Sequence, residues 1–325
     1  MVHVGGVVTI DQLKTDGFGV FGHYSKDATT AYGENLFKNQ KVTYSDPNWT
    51  YSPLRFWPEQ GHIDFLAYAP YDATATLKKK DATETALTCI DFKVEKNVAD
   101  QKDLLYAKAE GKKKDNISST GNKVKFHFYH ALSKLGYSVK LYGDYTSNNV
   151  KFTLKSIKLA GSAPNAAKSA QAFYTKGIID LSTGNWTSKD ATKQDFTWFS
   201  GTQDVTSATA SNPYKNPTSD YLFVIPQNFS ENIGTTVSPV ANPDKLYVIV
   251  TYTITYTDGG AQEITNTVYK QLTPNFLQGK AYMLNLTIGL PIEFDVDVVE
   301  DWKAPEDGTG DINIGSNDTP WEREK

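Results

Sequence analysis

Two histidines three residues apart, His127 and His130, invite a metal reading. Their segment reads as a strand, where positions i and i+3 face opposite sides, so they are not expected to share an ion. His3, His23 and His62 have no Cys or His partner nearby. Glu293, Asp295 and Asp297 alternate with Ile292, Phe294, Val296 and Val298. On a strand that puts three carboxylates on one face, which are oxygen ligands suited to a hard cation such as calcium. No D-x-[DN]-x-[DN]-G loop accompanies them, and the simpler reading is the solvated face of a half-buried strand. Cys89 is the single cysteine and falls inside an apolar run, as expected of an inert small hydrophobe. One cysteine also excludes disulfide frameworks, thiolate zinc sites and iron–sulfur clusters. The strings G-x-S-x-G, S-x-x-K, H-E-x-x-H and Walker A are absent. The paired carboxylates of a glycosidase can lie anywhere in a sequence, and nothing here singles out a pair. No catalytic centre, metal or cofactor is expected.

The elements that would carry such residues are strands almost throughout. Alternating or β-branched runs occur at 17–24, 41–44, 49–52, 62–68, 88–94, 104–108 and 123–129. They continue at 135–142, 150–159, 221–225, 246–256, 264–272, 282–290 and 292–299. Turn residues separate them, as at Asp258-Gly259-Gly260 between two strands. Many short strands with almost no 3.6-residue periodicity predict an all-β protein built of β-sandwiches. The polar, lysine-rich stretch 111–122 is the expected linker. It gives domains at 1–118 and 119–302, with 303–325 as a tail or extension rich in Gly and Asp.

Composition narrows the function classes. The 325 residues carry 33 basic and 37 acidic side chains, and only Arg55 and Arg323 are arginine. Guanidinium is the preferred fork for phosphates and base edges, so a nucleic-acid partner is not expected. The longest apolar stretches fall far short of the ~20 residues of a spanning helix. The opening MVHVGG has neither the charged nor the apolar region of a signal peptide.

Several strings, in order and spacing, resemble the fimbrillin family of the Bacteroidales, the type V pilin subunits. In the first half they are Phe56-Trp57-Pro58, then Ile63-Asp64-Phe65-Leu66-Ala67-Tyr68-Ala69-Pro70, Asp103-Leu104-Leu105-Tyr106-Ala107, and Phe128-Tyr129-His130-Ala131-Leu132-Ser133-Lys134-Leu135. In the second half they are Ile157-Lys158-Leu159-Ala160-Gly161, Asp180 to Trp186, Val224-Ile225-Pro226-Gln227, Gly279-Lys280-Ala281-Tyr282, and Val296 to Trp302. Trp57, Pro58, Phe65, Tyr68, Pro70, His130, Trp186, Pro226, Tyr282 and Trp302 are the motif positions expected to be structural.

That resemblance implies two transthyretin-like β-sandwich domains in tandem. It implies a non-enzymatic, structural or adhesive subunit of a cell-surface fimbria, exported as a lipoprotein of the outer membrane. The lipid would attach upstream of Val2. Its partners would be other fimbrial subunits, with a host protein or glycan as adhesion target. The alternative is a surface adhesin that binds glycan or host protein without polymerising. In that family an N-terminal strand is removed and a partner's extension fills the exposed groove as a donor strand. Here Val2, Val4, Val7, Val8 and Ile10 mark the candidate displaceable strand, and Ile312 and Ile314 the candidate donor extension. No arginine precedes Arg55, so Arg-directed cleavage near this N-terminus has no target.

Overall fold

A computed structural model describes residues 7–27, 29–117, 120–147, 149–235, 238–258, 262–289 and 322–323. The chain runs α1 (Ile10–Asp16), β1 (Phe18–Ser25), β2 (Phe37–Ser45), β3 (Asn48–Thr50), β4 (His62–Ala69), β5 (Lys78–Lys79) and β6 (Leu87–Lys93). Then come β7 (Leu105–Lys112), β8 (Tyr129–His130), β9 (Ser133–Leu141), β10 (Val150–Ala160), β11 (Phe173–Tyr174), β12 (Lys176–Asp180) and β13 (Trp186–Lys189). Next are β14 (Lys193–Gln194), β15 (Phe196–Asp204), β16 (Tyr214–Lys215), β17 (Leu222–Val224), β18 (Gln227–Asn228), β19 (Asn232–Thr235) and β20 (Ser238–Ala241). The last strands are β21 (Leu246–Tyr256), β22 (Gln262–Leu272), β23 (Asn275–Phe276), β24 (Ala281–Ile288) and β25 (Glu322–Arg323).

The strands form two compact units that are not consecutive along the chain. The first gathers residues 1–94, 102–131 and 176–191, and the second 95–101, 132–175 and 192–325. The main boundary therefore falls at 131/132 rather than at 118/119. The lysine-rich stretch is a loop inside the first unit, between β7 and β8, because polar composition marks exposure and not a domain edge. Residues 176–191 return to the first unit because β12 pairs antiparallel with β6, Ile179 opposite Ile90.

In the first unit a six-stranded sheet has the order β3-β2-β1-β4-β7-β8, and a four-stranded sheet the order β13-β12-β6-β5. β4 is buried at all eight positions. Side chains alternate across a strand, so both faces of the sheet are covered here. Ile63, Phe65, Ala67 and Ala69 join one apolar cluster with Phe18 and Val20 of β1. Leu66 and Tyr68 point the other way, and Tyr68 stacks on Phe21 with ring centroids 5.9 Å apart. Gly19 lies opposite Tyr68, and a Cβ there would sit 2.3 Å from the ring, which is why that position is glycine.

The β12–β13 turn follows the same logic. Asp180 caps Ser182 through its N–H at 2.9 Å, and Gly184 takes φ +79° with its N–H donating to the Asp180 carbonyl. A Cβ at Gly184 would meet the Tyr106 ring at 2.1 Å. Gly184→Ala is expected to destabilise the first unit by about 1–3 kcal/mol, the cost of a strained non-glycine backbone. Chemical denaturation reads this directly.

In the second unit the order is β15-β10-β21-β22-β25 in one sheet, while β16 and β17 flank β9 in the other and β24 runs parallel to β9. A bulge between Leu154 and Ser156 lets Phe152, Leu154, Ile157 and Leu159 all be buried despite the break in alternation. Asp195 is held by N–H bonds from Ala172 at 2.9 Å and Gly161 at 3.0 Å. Burial nevertheless pushes its carboxyl above the ordinary value of 3.8. A raised folded pKa means this group's contribution is complete below the unfolded value and is lost as pH rises through the folded one. Asp195→Asn keeps the acceptor oxygen without the charge. It is expected to match or exceed the parent's stability at about pH 7 and to lose less between about pH 4 and pH 7, as urea midpoints across that range measure.

The expected first strand is corrected here. Ile10 opens helix α1 instead of ending a strand. Thr9 is the N-cap, its Oγ1 accepting the Gln12 N–H at 3.2 Å, and Gly17 closes the helix at φ +74°. Val2 and Val4 lie outside the described residues. Likewise 123–129 is an extended segment of which only Tyr129 enters a ladder, within β8.

Candidate functional site

Helix α1 places Leu13 over the clustered face of the six-stranded sheet, and the segments 47–57 and 122–128 cross the same face. Together they bound an apolar groove of about 570 Å³. Phe18, Val20, Val42 and Phe65 form its floor. Aromatic rings line it edge to face: Phe18 meets Trp49 at 5.2 Å, Phe128 at 5.3 Å and Phe126 at 5.8 Å between centroids. Phe37 meets Tyr51 at 5.5 Å. Such pairs add specificity beyond the area they bury.

The mouth is open and apolar. Phe56 is 84% exposed and Ile10 61%, an unusual cost for large hydrophobic side chains in water. Arg55, Lys123 and Lys125 supply positive charge to the lining. Nothing in this set can act as nucleophile with base or as a carboxylate pair, and among the described residues no three His, Cys, Asp or Glu gather to hold a metal ion. What the groove offers chemically is an apolar slot beside the segment 123–128, whose backbone has no ladder partner among the described residues.

The motif positions fall mainly into support of this face and its edge. Trp57 is half-buried against the cluster, Pro58 is also half-buried, and Phe65 is in the floor. Tyr68 faces away, its hydroxyl 2.7 Å from Asn39 Oδ1 and from the Asp72 carbonyl, and Pro70 follows a cis peptide bond. His130 meets the fully buried Asp103 carboxylate at 2.9 Å, so the two motif strings that contain them lie side by side. Leu104 accepts the Ala131 N–H at 2.8 Å, and Trp186 Nε1 donates to the Ala131 carbonyl at 2.8 Å. The same Asp103 accepts the Val8 N–H at 3.0 Å, while Val8 packs on the cluster and Val7 is half-buried. In the second unit Tyr282 is buried, its hydroxyl accepting the Leu277 N–H at 2.8 Å, and Pro226 is half-buried. Trp302, Ile312, Ile314, Glu293, Asp295 and Asp297 lie outside the described residues.

His127 is exposed, its ring tilted against that of Tyr129 with centroids 4.6 Å apart, and it is separate from the His130–Asp103 pair. Cys89 is fully buried in β6, and burial raises its thiol pKa. Sequence reading missed a second buried pair, His62 Nε2 with Asp64 Oδ2 at 2.9 Å. The i, i+2 spacing of His62 and Asp64 on a strand was the available signal, since it puts both on one face.

Among the described residues the chain is nearly all β, and its groove is lined mainly by apolar side chains. The chain belongs to the fimbrillin-like family, whose model matches residues 7–302. It is 26% identical, over 95% of its length and 88% of the relative's, to the fimbrium subunit Fim1C of Phocaeicola vulgatus. A crystal structure of a fimbrial protein from Bacteroides vulgatus superposes with a TM-score of 0.63 at 22% identity, covering 91% of this chain and 94% of that one, and shows the same fold. These relatives are fimbrial proteins and not enzymes.

Proposed function

We propose that this protein is a structural subunit of a cell-surface fimbria, joined to its neighbours by a strand inserted into the groove of the first unit. The observation that carries this reading is the 570 Å³ apolar slot itself, with large hydrophobic side chains exposed at its mouth. Unfilled apolar space forfeits dispersion contacts, so an inserted strand with alternating apolar residues stabilises both partners. The N-terminal stretch up to Thr9 remains the candidate displaceable piece. Its described end, Val8, is tied to the sheet by one N–H bond to Asp103.

The donor would come from the C-terminal extension, with Ile312 and Ile314 as anchors. Supporting this, Glu322–Arg323 pairs antiparallel with Val268 and Tyr269 at the edge of β22, so the C-terminal backbone can add to a sheet. Attachment to the outer membrane through a lipid upstream of Val2 completes the reading. The test is to trim the N-terminus and add a peptide of residues 303–325. SDS-resistant ladders or peptide uptake are expected, and a trimmed protein that stays monomeric and ignores the peptide contradicts strand assembly. The exposed Phe56 and Trp49 also suit stacking on a sugar ring. Saturable binding on a glycan array by a protein that does not polymerise would favour the adhesin reading.

A further inference from the structure

Residues 123–128 alternate strictly, yet they belong to no sheet. Val124, Phe126 and Phe128 pack against the groove cluster, whereas Lys123, Lys125 and His127 are exposed. The rings of Phe126 and Phe128 both reach Phe18 on β1. The main chain from 124 to 128 has no backbone partner among the described residues. Immediately afterwards the segment becomes β8, which pairs with β7 through Tyr129 opposite Tyr106 and His130 opposite Leu105. On its other side β7 is paired along its length with β4, but beyond Tyr106 its outer edge has no ladder partner among the described residues.

Extending the β7–β8 register by three residues sets Phe128 opposite Ala107, His127 opposite Lys108 and Phe126 opposite Ala109. Directly opposed residues share a face. Ala107 and Ala109 belong to the groove cluster, and Lys108 is exposed. The zipped arrangement would therefore keep each side chain of 126–128 on a suitable face, with large rings beside small alanines. It would also give unpaired backbone on both segments its partners. Against this, the present arrangement gains the burial of two rings near Phe18 over the middle of the sheet. Ladder bonds and partial aromatic burial contribute on the same scale, which is what a two-state element needs.

We propose that residues 123–128 are a switch strand that gates the groove. Peeled from β7, the segment occupies part of the slot above Phe18 and Phe65. Zipped along Ala107 to Ala109, it withdraws Phe126 and Phe128 towards the sheet edge and leaves room for an incoming strand. This rests on the groove being the assembly site, and it names how access to that site is regulated.

Cysteines at exposed positions test the register without touching the cluster. In the zipped state Lys108→Cys and His127→Cys would have Cα atoms about 5 Å apart, within disulfide reach. Lys108→Cys with Lys125→Cys would be diagonal, at about 7–8 Å and outside it. Mild oxidation of the full chain is expected to crosslink the first pair as a monomer and not the second. The crosslinked protein is also expected to bind the apolar dye anilinonaphthalene sulfonate more strongly than its reduced form. Failure of the first pair to crosslink, equal crosslinking of both pairs, or a crosslink that leaves dye binding unchanged would each overturn the switch. If the locked protein takes up dye but not the 303–325 peptide, the switch stands and the strand-assembly reading fails.

Discussion

Replacing Asp64 by alanine is expected to cost the first unit about 3–5 kcal/mol, the range for removing one partner of a buried charged network. The Asp64 carboxylate is fully buried and holds three groups at once. Oδ2 lies 2.9 Å from His62 Nε2 and accepts the Ala31 N–H at 2.9 Å, and Oδ1 accepts the Gly111 N–H at 2.6 Å. The first of these N–H groups belongs to the loop after β1 and the second to β7, so one side chain pins two distant segments to β4. Truncation leaves both N–H groups and an imidazole unpaired in a site too closed for water to compensate. Asp64→Asn retains acceptor capacity on one oxygen and should cost less than alanine. Urea denaturation followed by tryptophan fluorescence orders the two variants. Equal stability of Asp64→Ala and parent would show that the network is not what holds the loop.

Phe56→Asp should separate assembly from folding. The ring is 84% exposed at the groove mouth, so its loss should change stability by no more than about 0.5 kcal/mol, as for other surface sites. An inserted strand would cover that ring, and a carboxylate there would be desolvated without a partner. Loss of roughly 2–3 kcal/mol of binding corresponds to about 30- to 150-fold weaker uptake of the donor peptide. Titration of trimmed protein with the peptide measures this beside a thermal melt. Unchanged uptake would place the strand elsewhere.

Much of this architecture was readable from residue pattern, and the failures share a cause. β4 shows as an apolar run because both of its faces are covered, and β21 shows by its β-branched and aromatic residues, alternating with Thr only from Val250 onwards. The same alternation at 123–129 marks which side chains are buried, but it is silent on whether the backbone finds a partner, and among the described residues it does not until Tyr129. Helix α1 was overlooked although Thr9 and Gln12 have the spacing of a capping box. The valines before it have the pattern of a strand, while one local hydrogen bond and Gly17 decide the outcome. The lysine-rich stretch reads as a linker because exposure and domain edges share a composition. The return of β12 to the first unit is a long-range pairing that no local pattern encodes. As for the groove, its parts were scattered over α1, β1, β4, 47–57 and 122–128. Trp57 and Phe65 were singled out, but as structural aromatics, and their convergence on one open face needed the fold.

The central claim is that a neighbour's strand completes the first unit, and residue-resolution electron microscopy of assembled filaments tests it most directly. The prediction is continuous extended density from an adjacent subunit lying in the groove, with alternate side chains seated over Phe18 and Phe65. An empty groove, in filaments whose subunits meet through other surfaces, would contradict it.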